Sequence, residues 1–389
     1  MSEPVRRTER DGRVFAPGTP RLGKMGTQRV VTIKDVARRA GVSVGTVSNV
    51  LSGSASVGAK RRARVYAAIQ GLDYHPNYVA RSLKARSTKT LGLIISDITN
   101  PFFSQVVRGA EDFAFQHGYL LTTFNTDDQV EREKQILSVL RSRRMDGVLM
   151  VVAPSADGDV SHIRKTKESG IPIVCLDRIP LGVAVDSVSV DNVAAAQLCV
   201  RHLITCGHRR IGIITGGLTL QTGRDRREGY LAALREAGIE SDPELIMEGN
   251  FRRVSGYHLS KSLLLFPNPP TALFVCNGMM TVGVVQALKE AGLHCPADMA
   301  VVCFDDLPFS DVFQPHLTSL AQPAYQMGYE GAQLLIQRLQ GKLKSRKLIA
   351  IRLLPELKIR ESSIGDGAPG GGVEFAPAVR VCKPGSGVA

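Results

Sequence analysis

The run TIKDVARRAGVSVGTVSNVLSG at residues 32–53 constrains most strongly what this chain can fold into. From Ile33 to Ala40, apolar residues recur at helical spacing, which predicts a short helix with one apolar face. Gly41 tolerates the left-handed backbone that ends such a helix. Ser43 is a favoured N-cap for a second helix, whose inward face consists of apolar side chains within 47–51. Two short helices joined by a tight turn predict a helix-turn-helix.

The positive charge of the chain lies at the same end. Residues 1–90 contain 18 Lys and Arg against 5 Asp and Glu, whereas residues 91–389 contain 31 of each, so the net charge of +13 belongs to the first 90 residues. That asymmetry indicates a polyanion partner for this end. Together with the helix pair it predicts double-stranded DNA as the partner, with the second helix in the major groove.

The predicted DNA contacts fall into two groups. The first turns of the second helix would meet base edges or phosphates, and a basic turn that opens a third helix, predicted at 59–71, would contact phosphate oxygens. The residues assigned to these contacts are Thr32, Ser43, Val44, Gly45, Thr46, Ser48 and Asn49, followed by Lys60 and Arg61. The alternative is a pair of helices that merely pack against each other.

The run at 32–53, followed by YHPNYVARSLKARST at 74–88, resembles the DNA-binding end of the lactose-repressor (LacI/GalR) family. The resemblance implies a hinge helix that pairs with its dimer mate, enters the minor groove and inserts a leucine between base pairs. Leu83 matches that leucine by position, and its neighbours are Val79, Ala80, Arg81 and Lys84. An apolar wedge can unstack and kink a flexible base step, which agrees with this role. An ordinary linker is the alternative.

From Leu91 onward, short apolar runs alternate with amphipathic helical patterns, which predicts an α/β fold with parallel sheets covered by helices on both faces. The alternating pattern is too long for a single sheet, so two similar lobes are expected. A ligand is expected in the cleft between them, at the carboxyl ends of the strands. The family resemblance covers about residues 32–363 and implies a core like that of periplasmic binding proteins. The final run, LLPELKIRESS, resembles the last strand of the family.

These patterns divide the chain into five predicted segments. They are a disordered basic arm at 1–28, a helix-turn-helix domain at 29–75, a hinge at 76–90, a two-lobed core at 91–363 and a disordered tail at 364–389. Within the core, the N-lobe is expected at about 91–189 and 322–350. The C-lobe is expected at about 190–321 and 351–363.

Polar side chains at the predicted strand ends could bind a sugar, since carboxylates and amides accept and donate to adjacent hydroxyls. Asp177, Asn277 and Asp305 each follow an apolar run directly. The family resemblance implies that Arg226, at the opening of a helix, grips the effector and that Asp305 faces it. The remaining residues assigned by matching to the family are Asp191, to orient Arg226, Phe102, Phe103 and Phe251 as aromatic walls, and Asp127 near the cleft.

Each of these residues also has a plainer interpretation. An Asp at a strand end is often a helix cap, and the phenylalanines could belong to the core. The sequence departs from the family at Gly278, where many relatives have Asp after the Asn. One polar contact is therefore missing or replaced, which leaves the identity of the effector open.

The expected function is a homodimeric transcriptional regulator, a repressor of a near-palindromic operator whose DNA affinity changes with a small-molecule effector, with a sugar as the expected class. A sugar-binding receptor without a DNA role is the alternative. An enzyme is not favoured, because the sequence lacks the common phosphate, hydrolase and metalloprotease motifs, and no cofactor or metal is predicted. The 7 scattered cysteines and the absence of a long apolar run predict a cytoplasmic protein without membrane contact.

Overall fold

The computed structural model describes residues 31–51, 57–74, 87–155, 158–308, 310–312, 314–343 and 347–364. The chain divides into two compact units, residues 1–81 and 82–389, and the division falls within the segment predicted as the hinge. The arm at 1–28 and the hinge residues Val79, Ala80, Arg81, Leu83 and Lys84 lie outside the described residues, as does the tail from 365.

In the described residues of the first unit, three helices lie at the predicted positions, α1 (Ile33–Ala40), α2 (Val44–Leu51) and α3 (Ala59–Gly71). The backbone N–H and the hydroxyl of Thr32 both donate to Asp35, which closes the first turn of α1. Gly41 ends that helix with a φ of 64°. The fully buried side chains of Val36, Val47 and Val65, one from each helix, form the centre of its core.

The second unit is an α/β core, as predicted. Its strands are β1 (Thr90–Ile95), β2 (Leu120–Asn125), β3 (Gly147–Met150), β4 (Ile173–Leu176), β5 (Asp186–Val190), β6 (Ile211–Thr215), β7 (Ile246–Glu248), β8 (Ala272–Val275), β9 (Ala300–Phe304), β10 (Thr318–Ala321), β11 (Ala350–Leu353) and β12 (Glu356–Lys358). Its helices are α4 (Pro101–Gln116), α5 (Val130–Ser142), α6 (Ser161–Glu168), α7 (Asn192–Thr205), α8 (Gln221–Glu236), α9 (Arg253–Leu264), α10 (Gly278–Glu290) and α11 (Ala324–Leu339).

Two sheets of six strands form the two lobes. The N-lobe sheet is parallel throughout, in the order β11-β5-β4-β3-β1-β2, and the C-lobe sheet has the order β12-β10-β9-β8-β6-β7 with only β12 antiparallel. The chain crosses between the lobes at Asp191, at Gln322–Pro323 and at Leu354–Pro355. The N-lobe therefore extends to Leu353, which corrects the predicted boundary at 350.

Three strands and one helix were not predicted. The strand β5 has the sequence DSVSV, and its polar residues are buried as completely as its valines, so it lacks the apolar run used to predict strands. The short strands β10 and β11 each contain polar residues, and α6 is rich in charge. The helix α8 begins at Gln221, so Arg226 lies in its second turn and does not open it.

Helix pairs on the sheet faces cross at glycines. In the N-lobe, a Cβ on Gly109 of α4 would lie 1.9 Å from the carbonyl oxygen of Tyr325, and a Cβ on Gly328 of α11 would lie 1.9 Å from that of Val106. Each glycine thus lets the backbone of the partner helix approach. Gly256 and Gly283 have the same relation between α9 and α10 of the C-lobe.

None of the helices in the described ranges is long and apolar enough to cross a membrane.

The glycine crossing of α4 and α11 generates a stability prediction. Gly328→Ala should destabilise the core by about 1–3 kcal/mol, because its Cβ meets main chain, which cannot rotate away. Gln326→Ala, on the exposed side of the same helix, is the matched control and should change stability by less than about 0.5 kcal/mol. Urea unfolding followed by far-ultraviolet circular dichroism measures both, and equal midpoints for the two variants would contradict this account of the crossing.

Candidate effector cleft and nucleic-acid interface

A cleft lies between the two lobes at the carboxyl ends of the strands, where the sequence predicted it. Both sheets contribute side chains, and so does the crossing at Gln322. The residues that line the cleft are Ser96, Asp97, Asn100, Phe102, Phe103, Asp128, Asp177, Arg178, Thr222, Arg226, Phe251, Arg252, Asn277, Asp305 and Gln322. The cavity between them has a volume of about 30 Å³.

The guanidinium of Arg226 is buried on the C-lobe side of the cleft, with 4% of the residue exposed. Its Nε donates to the side-chain oxygen of Asn192 at 2.9 Å, and its Nη1 donates to the carbonyl oxygen of Cys276 at 2.6 Å. The guanidinium carbon lies 3.6 Å from the ring centroid of Phe304, which is a close cation–π contact. These contacts fix the guanidinium in one plane.

Asp305 follows β9 with a φ of 83°, a left-handed conformation that is unusual for a residue other than glycine. Its carboxylate accepts hydrogen bonds from Nε2 of Gln322 at 2.5 Å and from the backbone N–H of Gly278 at 3.4 Å. Burial raises the pKa of Asp305, and the positive charge of Arg226 opposes that rise. Asp305 and Arg226 both line the cleft.

Behind Asp305, the neighbouring Asp306 is tied to the last strand. Nη1 and Nη2 of Arg360 donate to the Asp306 carboxylate, at 2.9 and 3.2 Å, and Lys358 and Ser319 donate to it as well. Burial alone would raise the pKa of Asp306, but these donors lower it well below its usual range. The network fixes the turn that carries Asp305 into the cleft.

On the N-lobe side, Asp177 follows β4 with a φ of 61°. Its carboxylate lies 3.7 Å from Nε of Arg178, and Nη1 of Arg178 donates to Asp128 at 2.6 Å. Burial raises the pKa of Asp177, while the charges of Arg178 and Arg226 oppose that rise. Asp177 and Asp305 thus approach Arg226 from opposite lobes.

Three buried polar atoms of this cleft have no hydrogen-bond partner among the described residues. They are Oδ1 of Asp177, Nε of Arg178 and Oε1 of Gln322. Buried polar atoms are almost always hydrogen-bonded in folded proteins. Two acceptors and one donor therefore remain available to a bound molecule.

The aromatic residues differ in their roles. Phe103 is 4% exposed and belongs to the N-lobe core, where the ring of Phe102 meets it edge-on at 5.1 Å between centroids. Phe251 has a φ of 63°, and its ring covers Gly216, where a Cβ would lie 1.8 Å from the ring. Phe102 and Phe251 are thus the partly buried walls, and Phe103 supports one of them.

The amide of Asn277 is largely used by the protein. Its oxygen accepts from the N–H of Met280 at 2.9 Å, which caps α10, and its Nδ2 donates to the carbonyl oxygen of Phe251 at 2.9 Å. Asn277 therefore caps α10 and also lines the cleft. A Cβ at Gly278 would lie 2.6 Å from the side chain of Leu307.

Two predicted positions are wrong by one residue each. Asp191 was predicted to orient Arg226, but its side chain caps α7 through the N–H of Ala194 and pairs with Arg352. Asn192 orients Arg226 instead. Asp127 was placed near the cleft, but it turns away to Arg132, and Asp128 lines the cleft.

Eight lining residues were not assigned to the site from the sequence: Ser96, Asp97, Asn100, Asp128, Arg178, Thr222, Arg252 and Gln322. Arg178 directly follows Asp177 and Arg252 directly follows Phe251, so adjacency to a predicted site residue was the available signal. Gln322 follows β10, a strand that was itself missed.

In the helix-turn-helix unit, Val44, Gly45 and Asn49 are exposed along one side of α2, and 41% of Val44 is exposed. Thr46 and Ser48 are half-buried beside them. These are the positions predicted to meet bases.

Ser43 caps α2, because its hydroxyl oxygen accepts the N–H of Thr46 at 3.1 Å. In the basic turn, Arg64 donates to the carbonyl oxygen of Gly41 at 3.1 Å and so supports the turn between α1 and α2. Lys60 and Arg61 are exposed at the start of α3. The basic turn therefore stabilises the connection between α1 and α2 and places exposed positive charge at the start of α3.

The sequence matches two family models. Residues 88–356 match the model described as periplasmic binding proteins and sugar binding domain of LacI family, and residues 32–77 match bacterial regulatory proteins, lacI family. Among similar sequences, the HTH-type transcriptional repressor PurR of Pasteurella multocida (strain Pm70) is 35% identical over 333 residues, which cover 86% of this chain and 98% of that protein.

Solved structures agree in fold. A lac repressor dimer bound to operator and the anti-inducer ONPF has a TM-score of 0.77 at 29% identity, covering 86% of this chain and 99% of that one. A complex of the transcriptional regulator CelR with cellobiose has a TM-score of 0.65 at 31% identity, covering 85% of this chain and 99% of that one. The chain belongs to the LacI family and is a DNA-binding transcriptional regulator of the ligand-modulated repressor type.

Proposed function

We propose that this LacI-family regulator represses transcription as a homodimer on a near-palindromic operator, and that an uncharged polyol, with a sugar as the first candidate, binds between the lobes and changes its operator affinity. The unpartnered buried polar atoms in the cleft are the observation that supports this class of ligand. Oδ1 of Asp177 and Oε1 of Gln322 accept, and Nε of Arg178 donates. A molecule with adjacent hydroxyls can serve as donor and acceptor at once.

The charge balance of the cleft favours an uncharged ligand over an anion. Its lining holds four carboxylates, on Asp97, Asp128, Asp177 and Asp305, against the three guanidiniums of Arg178, Arg226 and Arg252. An anion would meet a lining with one more carboxyl group than guanidinium, which disfavours its binding. The partly buried rings of Phe102 and Phe251 offer flat apolar surface to a ring compound.

Within this proposal, Arg226 donates to the effector and Asp305 accepts from it, with Asp177 and Asn277 contributing from the other strand ends. The Arg226 guanidinium is oriented by Asn192 and by the carbonyl oxygen of Cys276. A ligand can shift the lobes only by binding one arrangement better than another, and contacts from both lobes supply that difference.

For DNA, we propose that α2 reads the major groove through Val44, Gly45 and Asn49. Val44 offers methyl contact, Gly45 permits close backbone approach, and Asn49 is suited to a bidentate pair with adenine. Thr32, Ser43, Thr46 and Ser48 would contact phosphates or base edges at the same surface. Lys60 and Arg61 would fix the register through phosphates.

Leu83, with Val79, Ala80, Arg81 and Lys84, stays a proposal for minor-groove insertion by the family match. The alternative function, a sugar-binding receptor without a DNA role, is not favoured, because it leaves the basic helix-turn-helix unit without a purpose.

We also propose that the cleft binds its ligand without transforming it, and that the protein acts in the cytoplasm. The sulfur nucleophiles nearest the cleft support the first point. Burial raises the pKa of the Cys276 thiol to about 12, so its reactive thiolate is scarce at neutral pH. Hydrolysis of any bound sugar would contradict this point.

The phosphate contacts predict a steep salt dependence of DNA binding. Lys60→Ala and Arg61→Ala should each reduce the slope of log affinity against log salt by about 1, because each variant releases one counterion fewer. Lys289→Ala, an exposed lysine on α10 of the core, is the control and should leave the slope unchanged. Fluorescence anisotropy with a labelled duplex at several salt concentrations measures these slopes. If the DNA affinity of the unaltered chain did not change with salt, that result would count against these phosphate contacts.

The cleft contacts predict a separation of DNA binding from regulation. Arg226→Ala should keep operator affinity within about twofold but lose about 1.5–3 kcal/mol of effector binding, since charge-assisted hydrogen bonds contribute that much. Arg235→Ala, exposed on the same helix α8, should behave like the unaltered chain. The assay is operator binding to a selected duplex across a panel of sugars and nucleobases. If Arg226→Ala responds normally to the active compound, the arginine does not belong to the site.

A further inference from the structure

Arg252 joins the two lobes across the mouth of the cleft. It belongs to the C-lobe, where it follows Phe251 and precedes α9. Its guanidinium forms an ion pair with Asp97, which follows β1 of the N-lobe, and its Nη2 lies 3.9 Å from Asp128, which follows β2. One side chain of the C-lobe thus meets two carboxylates of the N-lobe.

Contacts within the N-lobe fix the positions of both carboxylates independently of Arg252. Oδ1 of Asp97 accepts from the backbone N–H of Thr99 at 2.9 Å and from its hydroxyl at 2.6 Å. Oδ1 of Asp128 accepts from Arg178 at 2.6 Å, which leaves its other oxygen toward Arg252. A fixed acceptor pair costs little further ordering when the arginine binds.

Arg178, Arg226 and Arg252 all line the cleft and occupy part of it. An effector that binds there competes with these arginines for space and for the carboxylates. Arg252 is among the lining side chains that fill this space, and it is the one that forms ion pairs with N-lobe carboxylates from the C-lobe side.

We propose that Arg252, with Asp97 and Asp128, is an electrostatic latch that closes the ligand-free cleft and that an effector has to displace. The latch itself follows from the ion pairs. Its competition with an effector rests on the function proposed above. Because 38% of the arginine side chain is exposed, against 15% for Asp97 and 20% for Asp128, salt reaches and screens the pairs. The ligand-free protein is therefore closed at low ionic strength and opens as salt is added.

A ligand-free distance measurement tests the latch. Spin labels on genetically encoded ketone residues at Glu168 in the N-lobe and Lys289 in the C-lobe, both exposed, leave the native cysteines alone. Pulsed dipolar spectroscopy on full-length chain, diluted with unlabelled copies, then reports the separation of the lobes. The unaltered protein should give one narrow distribution at low salt, and Arg252→Ala should shift it to longer distances and broaden it.

Arg253→Ala is the matched control, because that neighbouring arginine pairs with Gln286 inside the C-lobe at 2.7 Å. It should reproduce the unaltered distribution. Asp97→Asn should reproduce Arg252→Ala, so the test does not depend on one variant. High salt should move the unaltered protein toward the Arg252→Ala distribution and leave that variant unchanged.

Coincident low-salt distributions for the unaltered protein, Arg252→Ala and Asp97→Asn would overturn the latch while leaving the proposed effector response intact. Opening in both variants supports the latch even if no sugar alters operator binding, a result that would count against the proposed function alone.

Discussion

The buried guanidinium of Arg226 is the interaction on which the cleft depends. A buried charge is costly unless other groups compensate it, and here an amide oxygen, a backbone carbonyl and the face of Phe304 do so from within the C-lobe. Its charge also stabilises the ionised forms of Asp177 and Asp305, which belong to opposite lobes. The separation of the lobes and the charge state of the cleft are therefore coupled, and a ligand that enters changes both.

Much of the fold could be predicted because its elements follow simple periodicities. The three helices of the first unit lie where the apolar spacing and the turn at Gly41 placed them, since propensity, capping and packing agree there. The strand β5 could not be predicted from an apolar run, because Asp186 and the two serines of this strand are buried, and Asp186 pairs with Arg338. The glycine crossings of the helices depend on pairs of residues distant in sequence.

The location of the site was predictable from the sequence, whereas many of its side-chain contacts were not. Asn277 and Asp305 follow neighbouring strands of the C-lobe sheet and Asp177 follows a strand of the N-lobe sheet, and the carboxyl ends of the parallel strands of both sheets line the cleft. Asn192 contacts Arg226 in place of Asp191 because of the residue at which α7 begins. Sequence periodicity does not fix the start of a helix to one residue. Arg252 and Asp128 enter the cleft through left-handed turns at Phe251 and Asp128, which the sequence patterns did not indicate.

The most direct measurement is selection of bound duplexes from a random pool by the full-length protein, repeated with sugars and nucleobases present and with heparin as competitor. The account predicts recovery of a near-palindromic duplex, in keeping with a two-fold dimer, whose yield changes when one uncharged polyol is added. Failure to enrich any duplex over the heparin competitor, with or without added compounds, would contradict it.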